Sequence, residues 1–138
     1  MPELERLSFS IEKPLMEKLE KLIKTSGYGN RSEFIRDMIR GRLVAREWES
    51  DHEAVGTVTL VYNHHQRKLG EKLTGIQHHH HHIILAATHI HLDHDMCAEV
   101  IIARGAASRI RELADTLRRQ KGVFHAELSM SSTGTKLA

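Results

Sequence analysis

Three residues in the stretch Thr88-His-Ile-His-Leu-Asp-His-Asp-Met-Cys carry side chains that bind transition metals: His89, His91 and Cys97, the only cysteine of the chain. Imidazole and thiolate donors exclude magnesium and calcium, which take oxygen ligands, and suit zinc, copper or nickel. If residues 83–91 form a strand, His89 and His91 stand at i and i+2 and point to the same side. A turn centred on His94 then sets Cys97 opposite His91 on the next strand, where side chains begin about 4.5–5.5 Å apart. That separation suits two ligands of one ion. A fourth ligand is wanted, and the run His78-His79-His80-His81-His82 is the obvious donor. The competing readings are a solvated histidine tract for the run and a small buried hydrophobe for Cys97. His64 and His94 read as turn or surface residues.

The elements that must position these residues follow from the apolar periodicity. Residues 54–62 are rich in strand formers (Val55, Val58, Leu60, Val61, Tyr62), and residues 66–77 have helical spacing at Leu69, Leu73 and Ile76. Strands at 83–91 and 97–104 flank the Asp93-His94-Asp95 turn. A helix at 107–120 carries Ile110, Leu113, Ala114 and Leu117 on one face. The last strand, 122–130, alternates with Phe124, Ala126, Leu128 and Met130 inward and His125 outward. This strand–helix–strand–strand–helix–strand order is the split βαβ, ferredoxin-like arrangement, assigned to residues 50–138. The strand at 83–91 is apolar on both faces: Ile83, Leu85 and Ala87 on one, Ile84, Ala86 and Ile90 on the other. Both helices of such a fold lie on one side of the sheet, so the opposite face needs a cover from outside the chain. The metal residues are assigned to that uncovered face, at an interface between copies.

Residues 1–49 read differently. Residues 6–11 alternate strictly, with Arg6, Ser8 and Ser10 on one face and Leu7, Phe9 and Ile11 on the other. Pro14 opens a helix with Leu15, Leu19, Leu22 and Ile23 as its apolar stripe, and Gly27 suits the left-handed residue that ends it. Asn30 and Glu33 have the spacing of a capping box for a second helix bearing Phe34, Ile35, Met38, Ile39 and Leu43. One short strand with two helices leaves the strand unpaired. A second copy resolves this: two strands form an antiparallel ribbon over four helices, and the domain is an obligate dimer. The ribbon then presents Arg6, Ser8 and Ser10 twice, and a two-stranded ribbon fits the DNA major groove, where arginine pairs with guanine. The plainer reading of that face is a solvated strand; the missing partner strand argues against it.

Composition narrows the classes without naming a partner. Net charge is +2, and residues 1–50 and 51–138 each carry 10 basic against 9 acidic side chains, so a nucleic-acid surface must arise from arrangement or from doubling a patch. A lone cysteine forms no internal disulfide, which fits a reducing, cytoplasmic setting. No run of about 18 apolar residues suggests a membrane span.

The combination is more specific than its parts. The Gly27-Tyr-Gly-Asn-Arg-Ser-Glu-Phe-Ile-Arg-Asp segment and its flanking elements resemble ribbon-helix-helix DNA-binding proteins. With Gln77-His78-His79-His80-His81, Thr88-His89-Ile90-His91 and Cys97, the whole chain resembles the nickel-responsive transcriptional regulators, the NikR family. The resemblance implies an α+β chain, a ribbon-helix-helix domain at 1–49 and an ACT-like regulatory domain at 50–138. It implies a homotetramer, a dimer of dimers, that binds operator DNA in response to nickel and represses nickel-uptake genes. It also implies one square-planar Ni(2+) per subunit, held by His89, His91 and Cys97 of one subunit and His78 of a neighbour. Asn30, Arg31 and Ser32 would grip phosphate, in keeping with the anion affinity of helix N-termini. Glu33 and Asp37 would help hold a second, hard cation between the domains; an ordinary solvated acidic pair explains them equally well. Departures are visible. The basic pair that relatives can place after the first regulatory strand reads Gln66-Arg67 here, and Ser8 and Ser10 stand where threonines can occur.

Two other classes compete. A zinc metalloenzyme would use three protein ligands and one open position, but no separate acid–base residue is convincingly placed, although Asp95 and Glu99 are near. An antitoxin-like DNA binder would carry a disordered tail where this chain carries a patterned, apolar fold.

Overall fold

The computed structural model describes residues 2–138, which divide into two compact units. One ends at Leu43 and takes in Leu137–Ala138; the other is Val44–Lys136.

In the first unit, helix α1 spans Lys13–Thr25 with Pro14 in its opening turn, where the missing N–H costs nothing. Ser26 N–H bonds back to the Leu22 carbonyl, and Gly27 follows at φ 75°, the left-handed conformation expected of it. Helix α2 spans Arg31–Glu49. Asn30 Oδ1 accepts the Glu33 N–H at 2.9 Å, so the expected cap is made. Residues 2–12, expected to contain a strand at 6–11, form neither helix nor strand. The physical reason is that a ladder needs a second strand, and among its described residues this unit has none. Leu7 is 83% and Phe9 59% exposed, and Leu15, Leu22, Met38 and Ile39 are each about half exposed. Ile23 and Phe34 are the buried apolar residues here.

The second unit is a four-stranded antiparallel sheet in the order β2-β3-β1-β4, with β1 Glu53–Asn63, β2 Ile84–His91, β3 Met96–Ala106 and β4 Val123–Met130. Helices α3 (Leu69–His79) and α4 (Ala107–Arg118) connect β1 to β2 and β3 to β4. This is the expected split βαβ order. β1 is central, and every second residue along it from Ala54 to Tyr62 is buried. Those side chains pack on Leu69 and Leu73 of α3 and on Ile110, Leu113 and Leu117 of α4. Asp51, just before β1, caps α4 from a distance: its carboxylate accepts the Ser108 N–H at 2.6 Å and the Ser108 hydroxyl at 3.0 Å.

Two expectations change. Residues 47–53 read from the sequence as the end of the second helix running into a short linker, polar apart from Trp48. Helix α2 does run to Glu49, but Trp48 is 3% exposed in the second unit's core, with its indole N–H donating to the Ser131 carbonyl at 2.8 Å. The last residues of α2 therefore belong to the second unit. Phe124, expected inward, is 69% exposed. A bulge explains it: Val61 pairs with His125 but Tyr62 pairs with Val123, so Phe124 is squeezed out of the alternation and Val123 packs inward instead. Met130, at the strand's end, is also exposed.

Candidate metal centre

The β2–β3 turn is built by Asp93. Its Oδ1 accepts the N–H groups of Asp95 (2.9 Å) and Met96 (2.8 Å), and these bonds hold its carboxyl below the usual carboxylate range. The Leu92 N–H closes the turn onto the Met96 carbonyl. The register that results sets His91 against Cys97 and His89 against Glu99. Paired residues of neighbouring strands share a face, so His89, His91 and Cys97 lie together. His91 Nδ1 stands 3.4 Å from Cys97 Sγ. Two ligands that each sit ~2.0–2.3 Å from one ion are separated by roughly 3–4 Å, so this pair is spaced to share a metal.

The face differs from the expectation. Cys97 is fully buried in the core cluster with Leu60, Leu69, Ile101 and Tyr62, which is the side that α3 and α4 cover. When both faces of β2 are apolar, the sequence does not say which one the helices take. What leaves the histidines accessible is their position on an edge strand: β2 is exposed from Leu85 to His91. Leu85 and Ile90 are 62% and 46% exposed, so the strand still carries apolar surface that the chain itself leaves uncovered.

His89 is held from behind. The Tyr62 hydroxyl stands 3.1 Å from His89 Nδ1 and also 3.5 Å from Glu99 Oε2, and Glu99 Oε1 accepts the Gln77 amide at 2.8 Å. Burial pushes the Tyr62 hydroxyl up to about 12, with the Glu99 charge adding, so it keeps its proton and can donate to Glu99. With His89 in its Nδ1–H tautomer the same oxygen accepts from it, and His89 Nε2 then carries the lone pair a metal requires. Burial, reinforced by the Asp93 and Glu99 charges, also raises the Cys97 thiol above its ordinary value. A metal cation offsets that penalty, because it binds the thiolate and displaces the proton. A buried thiol beside an imidazole is thus a donor set that fits a borderline-soft ion such as Ni(II).

The remaining expected ligand, His78, lies on the last turn of α3 beside Gln77 and is not grouped with His91 and Cys97 of its own chain. The structure instead brings His64 to that pair: one ligand atom from each of His64, His91 and Cys97 lies within 4.8 Å of the others. His64 follows β1, with its N–H on the Asp95 carbonyl (3.0 Å) and its Nε2 on the His94 carbonyl (2.6 Å). His64 is the exposed turn residue that the sequence suggested; what the sequence did not show is its closeness to His91 and Cys97. Its place straight after the end of β1, the strand that neighbours β3, was the available signal, since antiparallel pairing sets it beside the β2–β3 turn. Tyr62 was legible only as a strand residue.

Of the expected DNA residues, Ser8, Arg31 and Ser32 line one groove together with Leu7 and Phe9. Arg31 is ion-paired with Glu20. Arg6 and Ser10 are exposed, and Asn30 is occupied as the α2 cap. Asp37 accepts the Tyr28 hydroxyl at 2.6 Å and Arg40 Nη1 at 3.2 Å, which hold its carboxyl below the usual range, the Tyr28 bond most strongly. Among the described residues, Glu33 and Asp37 are not part of a group of metal-ligating atoms.

Comparison with known proteins agrees with this layout. Residues 55–131 match the NikR C-terminal nickel-binding domain, and residues 5–46 match the ribbon-helix-helix proteins of the copG family. A relative from Solibacter usitatus that carries the name nickel-responsive regulator is 50% identical over 138 residues, with 99% of each chain covered. One of the same name from Geotalea uraniireducens is 51% identical over 138 residues, with 99% of each chain covered. One from Pyrococcus abyssi is 44% identical over 136 residues, 98% of this chain and 99% of its own. A solved structure of an uncharacterized protein from Thermotoga maritima superposes with a TM-score of 0.52 at 15% identity, over 57% of this chain and 98% of that one; it speaks to the fold alone. With a ribbon-helix-helix region ahead of a nickel-binding domain and full-length relatives at about half identity, this chain belongs to the NikR family of nickel-responsive regulators.

Proposed function

We propose that this chain is a nickel-responsive, sequence-specific DNA-binding regulator in which His89, His91 and Cys97 of one subunit and His78 of another hold one Ni(2+) per subunit. The observation that carries the reading is the His91–Cys97 pair at 3.4 Å, on the same face as His89, whose Nδ1 stands 3.1 Å from the Tyr62 hydroxyl. Nickel, when bound, supplies positive charge beside a buried thiolate and a preference for planar nitrogen and sulfur donors. The chain's own residues do the rest. Tyr62 and Glu99 orient His89, and Glu99 holds Gln77, the neighbour of His78 at the end of α3. Ordering of the site and of that helix end are therefore linked through one hydrogen-bonded chain. A homotetramer is the assembly in which this linkage reaches DNA. The half-exposed stripes of α1 and α2 support pairing of the first units, at ~1.5–3 kcal/mol for each large apolar side chain fully buried. The exposed Leu85, Ile90 and Leu92 support pairing around β2.

On this reading Arg6, Ser8 and Ser10 of a paired ribbon face the bases. Asn30, Arg31 and Ser32 at the start of α2 meet phosphate, with Arg31 leaving Glu20. Glu33 and Asp37 are reserved for a second cation. Nickel shifts the population toward the arrangement in which both ribbons reach one operator; coupling of about 1–3 kcal/mol gives a 5- to 150-fold change in affinity. Among the described residues no helix is long and apolar enough to cross a membrane. The setting we infer for a DNA-binding regulator is the cytoplasm, with repression of nickel uptake as the output. The test is selection of a duplex from a random pool with nickel present, followed by titration of that duplex with and without nickel. Equal affinity in both conditions defeats the regulatory reading. The metalloenzyme reading is disfavoured by the family match.

A further inference from the structure

The residues after β4 are mostly small and polar, yet they are held at both ends. Ser131 is fixed to the second unit: its N–H donates to the Val55 carbonyl at 2.8 Å, and its carbonyl accepts the Trp48 indole N–H at 2.8 Å. The chain then turns on itself. The Gly134 N–H donates to Ser132 Oγ at 3.0 Å, Gly134 takes a φ of 82°, and the Thr133 and Thr135 hydroxyls lie 3.1 Å apart. From Leu137 it belongs to the first unit, where the Leu137 carbonyl accepts Arg40 Nε at 3.1 Å. Arg40 has a second partner. Its Nη1 donates to Asp37 Oδ1 at 3.2 Å, and Asp37 Oδ2 accepts the Tyr28 hydroxyl at 2.6 Å. The Tyr28 ring stands edge-on to that of the buried Phe34, with centroids 5.2 Å apart. A row of hydrogen bonds thus runs from the segment after β4 to the turn that opens α2.

We propose that residues 132–138 are a strap that steadies the α1–α2 turn through Arg40, Asp37 and Tyr28, and so sets how firmly Asn30, Arg31 and Ser32 hold DNA phosphate. Arg40 is the hub because a guanidinium carries its N–H donors in one rigid plane. A carbonyl bonded to Nε therefore fixes where Nη1 points. The Leu137 carbonyl orients the fork, the fork orients the Asp37 carboxylate, and Asp37 holds Tyr28, two residues before the Asn30 cap. A lysine at this position has no fixed fork and would not couple the two partners in the same way. Arg40 is about half exposed, so each link is weak by itself. The strap biases the turn and does not lock it. Its effect on phosphate rests on the DNA-binding reading above; the strap itself does not.

The test compares the full chain with Arg40→Gln, with a chain ended after Ser132, and with the two changes combined. Ending the chain there keeps both bonds of Ser131 to the second unit. Backbone hydrogen exchange of the metal-free proteins, read by mass spectrometry, follows residues 26–34, which include the Glu33 N–H on Asn30 Oδ1. Each single change should speed exchange there roughly two- to fivefold, the scale of one exposed charge-assisted bond. The combination should be no faster than either, because both cut the same row. With nickel bound, each should leave the sulfur-to-nickel absorption band unchanged; that band reports the metal centre, because Cys97 is the only cysteine. Each should weaken binding to the selected duplex and to an unrelated duplex alike, and flatten the dependence of affinity on salt, the mark of a lost phosphate contact. Unchanged exchange in the single variants, or effects that add in the combination, overturns the strap. Should the shortened chain not fold, the exchange of Arg40→Gln decides by itself. Faster exchange with unchanged salt dependence overturns the link to phosphate. If the wild type binds no duplex while exchange responds as expected, the DNA-binding reading falls and the strap stands.

Discussion

Replacing Tyr62 by Phe removes one oxygen and tests whether the metal site is oriented from behind. Tyr62 is 3% exposed, so the ring stays packed in either variant and water does not readily take the hydroxyl's place. The lost oxygen is 3.1 Å from His89 Nδ1 and 3.5 Å from Glu99 Oε2. The first is a full hydrogen bond and the second a marginal one. Glu99 keeps the Gln77 amide at 2.8 Å, so no carboxylate is orphaned. The direct loss is therefore one neutral bond, about 1 kcal/mol, together with the freedom of His89 to turn or change tautomer. Losing a partner of this kind commonly weakens metal binding 10- to 100-fold, and the retained Gln77–Glu99 bond argues for the lower end, roughly tenfold. Competition against a chelator of known affinity, followed by the sulfur–nickel band, measures it, with a thermal melt of the metal-free protein to separate binding from stability. An unchanged nickel affinity refutes the orienting role. A loss as complete as that of His89→Ala refutes it too, because the hydroxyl would then be acting as a ligand.

Cys97→Ala should abolish the sulfur–nickel band while lowering the stability of the metal-free protein by only about 1 kcal/mol, since the site loses one buried sulfur; absorption and thermal melts read the two effects. Gly56→Ala should cost about 1–3 kcal/mol in urea unfolding, because the new methyl would stand 2.9 Å from Ile110 Cγ2 and 3.1 Å from both Trp48 Cη2 and Leu128 Cδ1. Asp51 gives a pH dependence. The Ser108 N–H and hydroxyl hold its carboxyl below the ordinary value, so its stabilisation is present above the unfolded carboxylate pKa and is lost as pH falls through the lower folded one. Asp51→Ala should melt earlier than wild type at neutral pH, and the gap should close on acidification; a gap constant with pH contradicts the linkage.

Much of the second unit was legible because its elements alternate or repeat cleanly. β1 reads out as a run of strand formers and α4 at helical spacing, and both stand where the pattern put them. Gly27 and Asn30 were legible because each residue type answers one local backbone need. The misreadings share a cause. Residues 47–53 read as a helix end running into a linker because all but Trp48 are polar or charged, but that one large side chain, reaching Ser131, ties the helix end to the core. Phe124 keeps perfect alternation in sequence, and a single bulge between Val61 and Tyr62 turns it outward. In both cases a contact distant in sequence overrode a local pattern.

The metal centre divides the same way. Residue type and spacing alone determined that His89, His91 and Cys97 share a face, because a tight turn between two antiparallel strands permits little else, and that their donors suit a borderline-soft ion. Only the tertiary structure decided which face that is, since β2 is apolar on both sides and nothing local distinguishes them. It alone set Tyr62, Glu99 and Gln77 behind His89, and brought His64 and His65 from the end of β1 to the β2–β3 turn. Those placements depend on strand register and on strand order in the sheet. Both are fixed by which surfaces bury together, and residues 30 positions apart carry no mark in sequence that they will meet.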